Sequence, residues 1–231
     1  MDSIIQGLLN GLFLIVTFNP DLYQIILRSL QVSGSAMLFS TVIGGNFGTL
    51  VALQHFPGRR IIINLLNTFM GLPPVVVGLV LYLLLSRSGP LGFLELLFTP
   101  SAMIMAQTIL ATPIIAALTL SAISGVPSSV RETALGLGAS RIQAIWVIIR
   151  EARFAIMAAI IAGFGRIVAE VGAVMMVGGN LKGYTRVMTT AIALDTSRGD
   201  FELAIALGLI LILISFLANA ALHVLQGRVN P

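Results

Sequence analysis

The chain has 231 residues, of which 57% are hydrophobic and 10% are charged, and it contains no cysteine. Because an average soluble domain carries roughly 25% charged residues, this composition excludes an ordinary soluble domain, and the lack of cysteine excludes disulfides and cysteine metal sites. The net charge of +4 could suit a nucleic acid, but the arginines are scattered between apolar runs, a pattern that sets orientation in membrane proteins. No nucleic-acid partner is expected.

Long apolar runs without strict alternation predict transmembrane helices rather than a β-barrel. In chain order, the runs expected to span the membrane are residues 25–53, 61–86, 101–123, 154–177 and 203–225. Pro73 and Pro74 in the second run and Pro113 in the third are expected to kink their helices. The predicted fold class is an all-α membrane protein, a polytopic helical bundle of five core transmembrane helices.

Residues 1–20 are predicted to form a separate N-terminal helix, and residues 21–231 the transmembrane domain. Ser3, Gln6, Asn10 and Thr17 fall near one helical face, with leucines and isoleucines opposite. The apolar part is short for a full span. We therefore expect residues 3–18 to form an amphipathic helix in the membrane interface, with a short sixth span as the alternative. A basic n-region is missing, so a cleaved signal peptide is not expected.

Positive residues are divided unequally between the two sides that five spans create. One side holds Arg59, Arg60, Arg131, Arg141, Arg150, Arg153 and Arg228, and the other holds Arg87, Lys182, Arg186 and Arg198. Since cytoplasmic segments carry the excess of positive charge, the side with seven arginines, which includes the segment 125–153, is expected in the cytoplasm. The Lys182 segment is then expected outside.

The segment 125–153 is unusually polar and well patterned for this chain. Ser129 and Glu132 have the spacing of a capping box, which predicts the start of a helix, and Gly138 is expected to end it. Such a short helix is not stable alone in water. It must therefore pack either on its own bundle or on a cytoplasmic partner.

The same segment resembles the EAA loop in permease subunits of type I ATP-binding-cassette (ABC) importers. The family pattern is Glu-Ala-Ala, three residues, Gly, nine residues and Ile-x-Leu-Pro. Glu132, Thr133, Ala134, Gly138 and Ile148 stand at the matching positions, with threonine in place of the first alanine. The position of this segment between the third and fourth predicted spans also suits the family.

The resemblance extends over nearly the whole chain from about residue 20 onward. Residues 72–85 and 165–180 are similar to the molybdate and sulfate branch of the family, and residues 178–204 are most similar to tungstate permeases. Arg150 and Glu151 depart from the family's Leu-Pro, which leaves the re-entry of the chain into the membrane less defined.

The resemblance implies the type I ABC importer permease fold and a set of partners. Two copies of the chain would form the pore within membrane lipid, two ATPase subunits would hold ATP and Mg, and an extracytoplasmic binding protein would deliver a tetrahedral oxyanion. Tungstate is favoured, with molybdate or sulfate as the alternative, and the location would be a bacterial or archaeal plasma membrane. The chain has no G-x-x-x-x-G-K-[ST] phosphate loop, so no cofactor and no enzyme activity are expected on it.

The resemblance also implies a coupling surface for the ATPase. Its residues would be Glu132, Thr133, Ala134, Gly138 and Arg141. Glu132 would reach a basic group of the ATPase, Ala134 would allow close approach, and Gly138 would supply the turn after the helix.

Arg166 and Glu170 are ionisable residues inside the fourth predicted span, four residues apart and so on one helix face. Because charges at membrane depth usually face a bundle interior or a water-filled path, we expect this face to line the translocation path or its gate. A purely structural ion pair is the alternative. Met175 and Met176, at the outer end of the span, are candidates for a hydrophobic gate or for adaptable packing.

Residues 178–202 are predicted to be a polar outer loop that begins with a turn at Gly-Gly-Asn. Lys182, Arg186 and Arg198 lie in it and are candidates for docking the binding protein, with an ordinary solvated loop as the alternative.

Two other classes of function are considered. An intramembrane enzyme is disfavoured because the only histidines, His55 and His223, lie at span ends and no catalytic or metal-binding constellation is evident. An ATP-independent channel or secondary carrier is disfavoured because such carriers often show internal repeats, and none is convincing here.

Overall fold

The computed structural model describes Leu9 and residues 12–227, and within that part the chain forms helices joined by short turns, without a strand. In chain order the helices are α1 (Pro20–Ser40), α2 (Asn46–Leu53), α3 (Arg59–Met70), α4 (Pro74–Leu85), α5 (Pro100–Ser124), α6 (Ser128–Gly136), α7 (Arg141–Val168), α8 (Gly172–Gly178), α9 (Met188–Arg198) and α10 (Phe201–Gly227). A π-helical turn (Thr41–Gly45) joins α1 to α2 without interruption, and a 3₁₀ turn (Gly92–Leu94) precedes α5. The predicted all-α class is confirmed.

Within the described residues the structure offers three to five membrane crossings, which is compatible with the five spans predicted from the sequence. Three helical segments are long and apolar enough to cross a membrane, namely Pro20–Leu53, α5, and Phe201–Ala220 of α10. The pairs α3–α4 and α7–α8 each satisfy the same criterion together but are bent at a break, which gives up to five crossings. The second and fourth predicted spans, expected as single helices, are therefore each built from two.

The break in the second crossing lies at the predicted proline pair, but the bend between α3 and α4 is 98°, far more than a kink. Gly71 caps the end of α3, and Pro73 holds an extended backbone with φ −66° and ψ 122°. Pro74 is then the first residue of α4, where a missing N–H is tolerated. The two prolines thus separate two helices rather than bend one.

The helix at the centre of the bundle is α5, which contacts α1, α2, α3, α4, α7 and α8. In the apolar stretch of α5, 56% of the residues are buried inside the protein, whereas only 17% are buried in the corresponding stretch of α10. The helix α10 therefore lies at the edge of the bundle. The chain from α1 to α2 approaches α5 closely through Gly44 and Gly48. A Cβ atom at Gly44 would lie 2.7 Å from the carbonyl oxygen of Thr112, and one at Gly48 would overlap the carbonyl of Ala116. Small residues commonly permit such packing in membranes.

We expect Gly48→Ala to destabilise the fold by about 1–3 kcal/mol, because the added methyl group must displace the backbone of α5. Gly45→Ala is the matched control, since a Cβ at Gly45 has no neighbouring atom within 4 Å. Thermal unfolding of the purified variants in detergent measures the difference. Equal unfolding temperatures for the two variants would contradict the close approach of α2 to α5.

The polar segment predicted as an outer loop contains α9, so that prediction is wrong in part. The helix packs on α10 and α1, and its buried face is largely polar, with Thr189, Thr190 and Asp195 buried beside Met188 and Ala191. The apolar periodicity that reveals a helix in a sequence is weak here because polar side chains occupy the buried positions. The turn predicted at Gly-Gly-Asn is confirmed, with φ of +69° at Gly179 and +49° at Asn180.

The N-terminal helix predicted at residues 3–18 falls largely outside the described residues. Residues 12–16 are helical, and the Tyr23 hydroxyl donates to the carbonyl of Ile15 at 3.2 Å, which ties this turn to α1. Whether the N-terminal segment lies in the interface or spans the membrane, and the domain boundary at residue 20, stay predictions.

Candidate functional site

The first candidate site is the corner between α6 and α7. The predicted capping box at Ser129 and Glu132 is wrong, because α6 begins at Ser128 and its N-cap is Pro127, two residues before Ser129, without a side-chain hydrogen bond. A capping box occurs instead at the start of α7, where the Gln143 amide N–H donates to the Ser140 hydroxyl at 3.3 Å and the Ser140 amide N–H donates to Oε1 of Gln143 at 2.7 Å.

The end of α6 is a tight turn at Gly138, as predicted. Gly138 has φ of +87°, its N–H donates to the carbonyl of Leu135, and the N–H of Ala139 donates to the carbonyl of Ala134 at 3.0 Å. This pair of hydrogen bonds is the Schellman motif, which favours glycine at the left-handed position. The turn fixes the direction in which α7 leaves and thereby the orientation of α6.

The structure brings the predicted coupling residues together at this corner. Glu132, Thr133, Gly138 and Arg141 are exposed and Ala134 is half-buried. A shallow groove between α6 and α7 is lined by Ser129, Val130, Thr133, Ala134, Leu137 and Val147. None of the residues of α6 is buried, so this helix is available to a partner.

Large apolar side chains beside the corner were not singled out from the sequence. Leu137 is 84% exposed, and Ile142 and Trp146, one turn apart on α7, are 70% and 67% exposed. A contiguous exposed apolar patch beside polar residues marks an interaction site. The i, i+4 spacing of Ile142 and Trp146 in an otherwise polar stretch was the available signal.

The second candidate site is the break in the fourth crossing, where α7 and α8 meet at 57°. Arg166 lies in the last turn of α7, and Glu170 lies beyond its end, in the break. The prediction that both occupy one continuous helix face is therefore wrong. Nevertheless the guanidinium of Arg166 and the carboxylate of Glu170 lie 4.0 Å apart, with the side chains 36% and 4% exposed.

Polar side chains satisfy the backbone that the break leaves open, as a membrane interior requires. Oε1 of Glu170 accepts from the N–H of Ala173 at 3.0 Å and so caps α8. The Gln107 side-chain amide of α5 donates to the carbonyl of Ile167 at 3.3 Å, and the Thr189 hydroxyl of α9 donates to the carbonyl of Glu170 at 2.8 Å. Gln107 and Thr189 were missed because their partners are 60 and 19 residues away in sequence. An amide within an apolar run was the only local signal.

One face of α7 is exposed or half-buried from Glu151 to Arg166, yet it carries small or charged side chains. It comprises Glu151, Ala155, Ala158, Ala162, Gly165 and Arg166. By contrast, the exposed face of α10 carries Ile212, Leu213, Phe216 and Leu217, which suit lipid. The spacing of three and four residues keeps the first set on one stripe. Because a cation at membrane depth avoids lipid, this stripe is suited to face water or another polypeptide.

Met175 and Met176, predicted at the outer end of the fourth span, lie on α8 and are half-buried. α8 packs closely on α4, because a Cβ at Gly78 would come within 3.0 Å of the Met176 sulfur and 2.9 Å of the Ala173 Cα. Met176 therefore packs between the two broken crossings.

The predicted docking residues flank α9 rather than sharing one loop. Lys182 forms an ion pair with Asp21 at the start of α1, Nζ to Oδ2 2.7 Å, with both side chains more than half exposed. Arg198 is exposed at the end of α9, and Arg186 is half-buried just before its start. The structure thus places Lys182 at α1 and the two arginines at the ends of α9.

Asp195 is a buried carboxyl group on α9. Burial raises the pKa of Asp195 above 3.8, opposed by the charge of Arg186, while Asp200 raises it further and Arg198 and Lys182 lower it. Since the folded protein holds the proton more tightly than the unfolded chain, the stability from this group is present at pH below the unfolded pKa and is lost as the pH rises through the folded one.

We therefore expect Asp195→Asn to unfold at a higher temperature than the wild type at neutral pH, with the difference shrinking towards pH 4. Thermal unfolding in detergent across this pH range measures it. Glu95→Gln is the control, because Glu95 is exposed and is not among the charged groups that shift the pKa of Asp195. A wild type as stable as Asp195→Asn at neutral pH would contradict the burial effect.

Comparisons with known proteins agree on one family. The pattern of the family described as "binding-protein-dependent transport system inner membrane component" matches residues 44–231. The chain is 42% identical over 226 residues to the tungstate uptake system permease protein of Peptoclostridium acidaminophilum, covering 98% of this chain and 99% of the relative. It is 43% identical over 204 residues to a probable anion ABC transporter permease protein of Haloferax volcanii, covering 86% and 88%.

More distant relatives extend the comparison. Identity to the molybdenum transport system permease protein of Escherichia coli K12 is 30% over 212 residues, covering 84% of this chain and 91% of the relative. Among solved structures, the bacterial alginate ABC transporter in complex with an alginate pentasaccharide-bound periplasmic protein matches with a TM-score of 0.77 at 17% identity, covering 99% of this chain and 89% of that chain. The fold is therefore that of a type I ABC importer permease.

Proposed function

Since this chain belongs to the family of binding-protein-dependent transport system inner membrane components, we propose that it is the permease subunit of an ATP-driven tungstate importer. The observation that supports tungstate as the substrate is the 42% identity to a tungstate permease over nearly the full length of both chains, compared with 30% identity to a molybdenum permease. A permease subunit is not an enzyme, and ATP hydrolysis belongs to a separate subunit. Molybdate and sulfate are the alternative cargoes, because a separate binding protein sets selectivity.

The assembly proposed is two copies of this chain, two ATPase subunits that bind ATP and Mg, and one extracytoplasmic oxyanion-binding protein. It lies in the plasma membrane of a bacterium or archaeon, with the corner of α6 and α7 in the cytoplasm. The exposure of Glu132, the Schellman turn at Gly138 and the apolar patch at Leu137, Ile142 and Trp146 support docking of the ATPase at this corner. α6 then transmits closure of the ATPase pair to the bundle.

The path proposed for the oxyanion runs along the stripe of small and charged residues on α7. Small side chains leave room for a hydrated path between the two copies, and Arg166 supplies a positive charge within it. Glu170 is almost fully buried and limits the charge that Arg166 presents. Met175, at the outer end of the crossing, then narrows the path beside the packed Met176.

The outer face proposed for the binding protein comprises Arg186, Arg198 and the Lys182–Asp21 pair. Their support is exposure and position: Lys182 and Arg198 are exposed, and α9 lies between the two arginines.

The first test is uptake of isotopic tungstate by cells that lack this chain, with molybdate and sulfate as competitors. We expect uptake at low tungstate concentration to disappear and to return on re-expression. Loss of molybdate or sulfate uptake with tungstate uptake intact would overturn the substrate. Uptake that persists when the ATPase subunit is inactivated would overturn ATP-driven import in favour of a channel or secondary carrier.

A further inference from the structure

Glu170 is a point at which three helices meet. Its backbone follows the end of α7, its carboxylate accepts from the N–H of Ala173 at the start of α8, and its carbonyl accepts from the Thr189 hydroxyl of α9 at 2.8 Å. Both Glu170 and Thr189 are buried. A displacement of α9 must therefore move Glu170 or break this hydrogen bond.

The first turn of α9 is tied to other elements as well. The N–H of Met188 donates to the Ser29 hydroxyl of α1 at 2.7 Å, and the Asn180 side-chain amide, just beyond α8, donates to the carbonyl of Thr190 at 3.2 Å. The opposite end of the helix carries the exposed Arg198. At 1.5 Å per residue, the helix is roughly 16 Å long, so it is long enough to carry a displacement from its outer end to the break.

A displacement of Glu170 would also change its contact with Arg166. The charged groups are 4.0 Å apart, at the limit of an ion pair, and Arg166 is partly exposed while Glu170 is not. A small outward movement of Glu170 would separate its carboxylate from the guanidinium of Arg166. The positive charge of Arg166 would then be free to attract the oxyanion.

We infer that Thr189 is a positioning residue that holds Glu170 against Arg166 and so links helix α9 on the outer face to the positive charge of the path. Thr189 touches no cargo and acts only through the carbonyl of Glu170. Engagement of α9 by the loaded binding protein shifts this carbonyl and exposes the charge of Arg166. The functional part of this inference rests on the proposed function, whereas the link between Thr189 and the break does not.

The test compares three variants in the complete permease–ATPase complex. Thr189→Val removes the hydroxyl with little change of shape, and Thr189→Ser restores a hydroxyl donor. Thr119→Val is the matched control, because the Thr119 hydroxyl in α5 is buried without a hydrogen-bond partner. Hydrogen–deuterium exchange of the amides at residues 169–173 measures whether the Thr189 hydroxyl stabilises the break. The ratio of binding-protein-stimulated to basal ATPase activity measures whether this contact matters for transport.

We expect exchange at residues 169–173 to be about tenfold faster in Thr189→Val, as the loss of one buried hydrogen bond implies, and unchanged in Thr119→Val. The stimulation ratio should fall about fivefold to tenfold in Thr189→Val and recover in Thr189→Ser. Unchanged exchange in Thr189→Val, or equal loss of stimulation in Thr189→Ser, overturns the inference. A wild-type complex that tungstate-loaded binding protein fails to stimulate contradicts the proposed function instead, and the exchange result still decides the link.

Discussion

Gly138→Leu is expected to reduce ATP-driven uptake about a hundredfold while the protein still inserts into the membrane and folds. A leucine at φ +87° costs about 1–2 kcal/mol, which opens the Schellman turn and releases α6 from its fixed orientation. The new side chain also projects from the exposed corner, where the ATPase is proposed to dock. Among the described residues no atom lies within 4 Å of a Cβ at Gly138, so the start of the new side chain meets open space.

Two variants of the same segment serve as controls. Gly136→Ala lies in the helix with open space around it, so it should favour α6 by up to about 1 kcal/mol and keep full uptake. Gly138→Asn should retain most uptake, since asparagine tolerates the left-handed conformation. Glu132→Lys, which reverses an exposed charge, should match the loss in Gly138→Leu. Uptake and ATPase activity in proteoliposomes are the measurements, and coupled uptake by both Gly138→Leu and Glu132→Lys would exclude docking at α6.

Arg166→Gln is expected to lower tungstate uptake at least tenfold with little loss of thermal stability. Arg166 is more than one-third exposed, so its ion pair with Glu170 is screened and contributes little to folding. Its positive charge on the stripe of α7, by contrast, has no substitute among the other exposed side chains of that stripe. Arg166→Lys, which preserves the charge, should recover part of the uptake.

The companion variant Glu170→Gln separates the two roles considered for this pair. The glutamine carbonyl can still accept from the N–H of Ala173, so the cap of α8 is kept while the negative charge is removed. We expect Glu170→Gln to retain uptake. If instead Arg166→Gln and Glu170→Gln lose stability and uptake to the same extent, the pair is a structural ion pair and the path lies elsewhere.

Local sequence patterns predict the apolar spans and the helix that ends at Gly138, because both depend on neighbouring residues. Apolar length defines a crossing, and the residues from Glu132 to Gly138 lie within two turns of one another. The break at Glu170 was not predicted, because no proline marks it. It depends on Gln107 and Thr189, whose hydrogen bonds to the broken backbone come from other helices.

The misplaced helix cap at Ser129 and the helix α9 predicted as a loop are two local predictions that differ from the structure. The Ser-x-x-Glu pattern predicts the cap at Ser129, whereas the cap position is held by Pro127, two residues earlier. The helix α9 was read as a loop because its buried positions hold Thr189, Thr190 and Asp195, whose burial depends on α1, α10 and the break. The long-range hydrogen-bond partners of buried polar residues cannot be identified from a single sequence.

Trp146 gives the corner of α6 and α7 an intrinsic spectroscopic reporter. It is the only tryptophan of the chain, it is 67% exposed, and it lies one turn from Ile142 in the apolar patch. With the corner in the cytoplasm, as proposed, we expect the indole emission of the free permease to be that of a water-exposed ring. Binding of a tryptophan-free ATPase subunit over this patch would shift the emission to shorter wavelength, so a titration could follow assembly of the transporter without any added label.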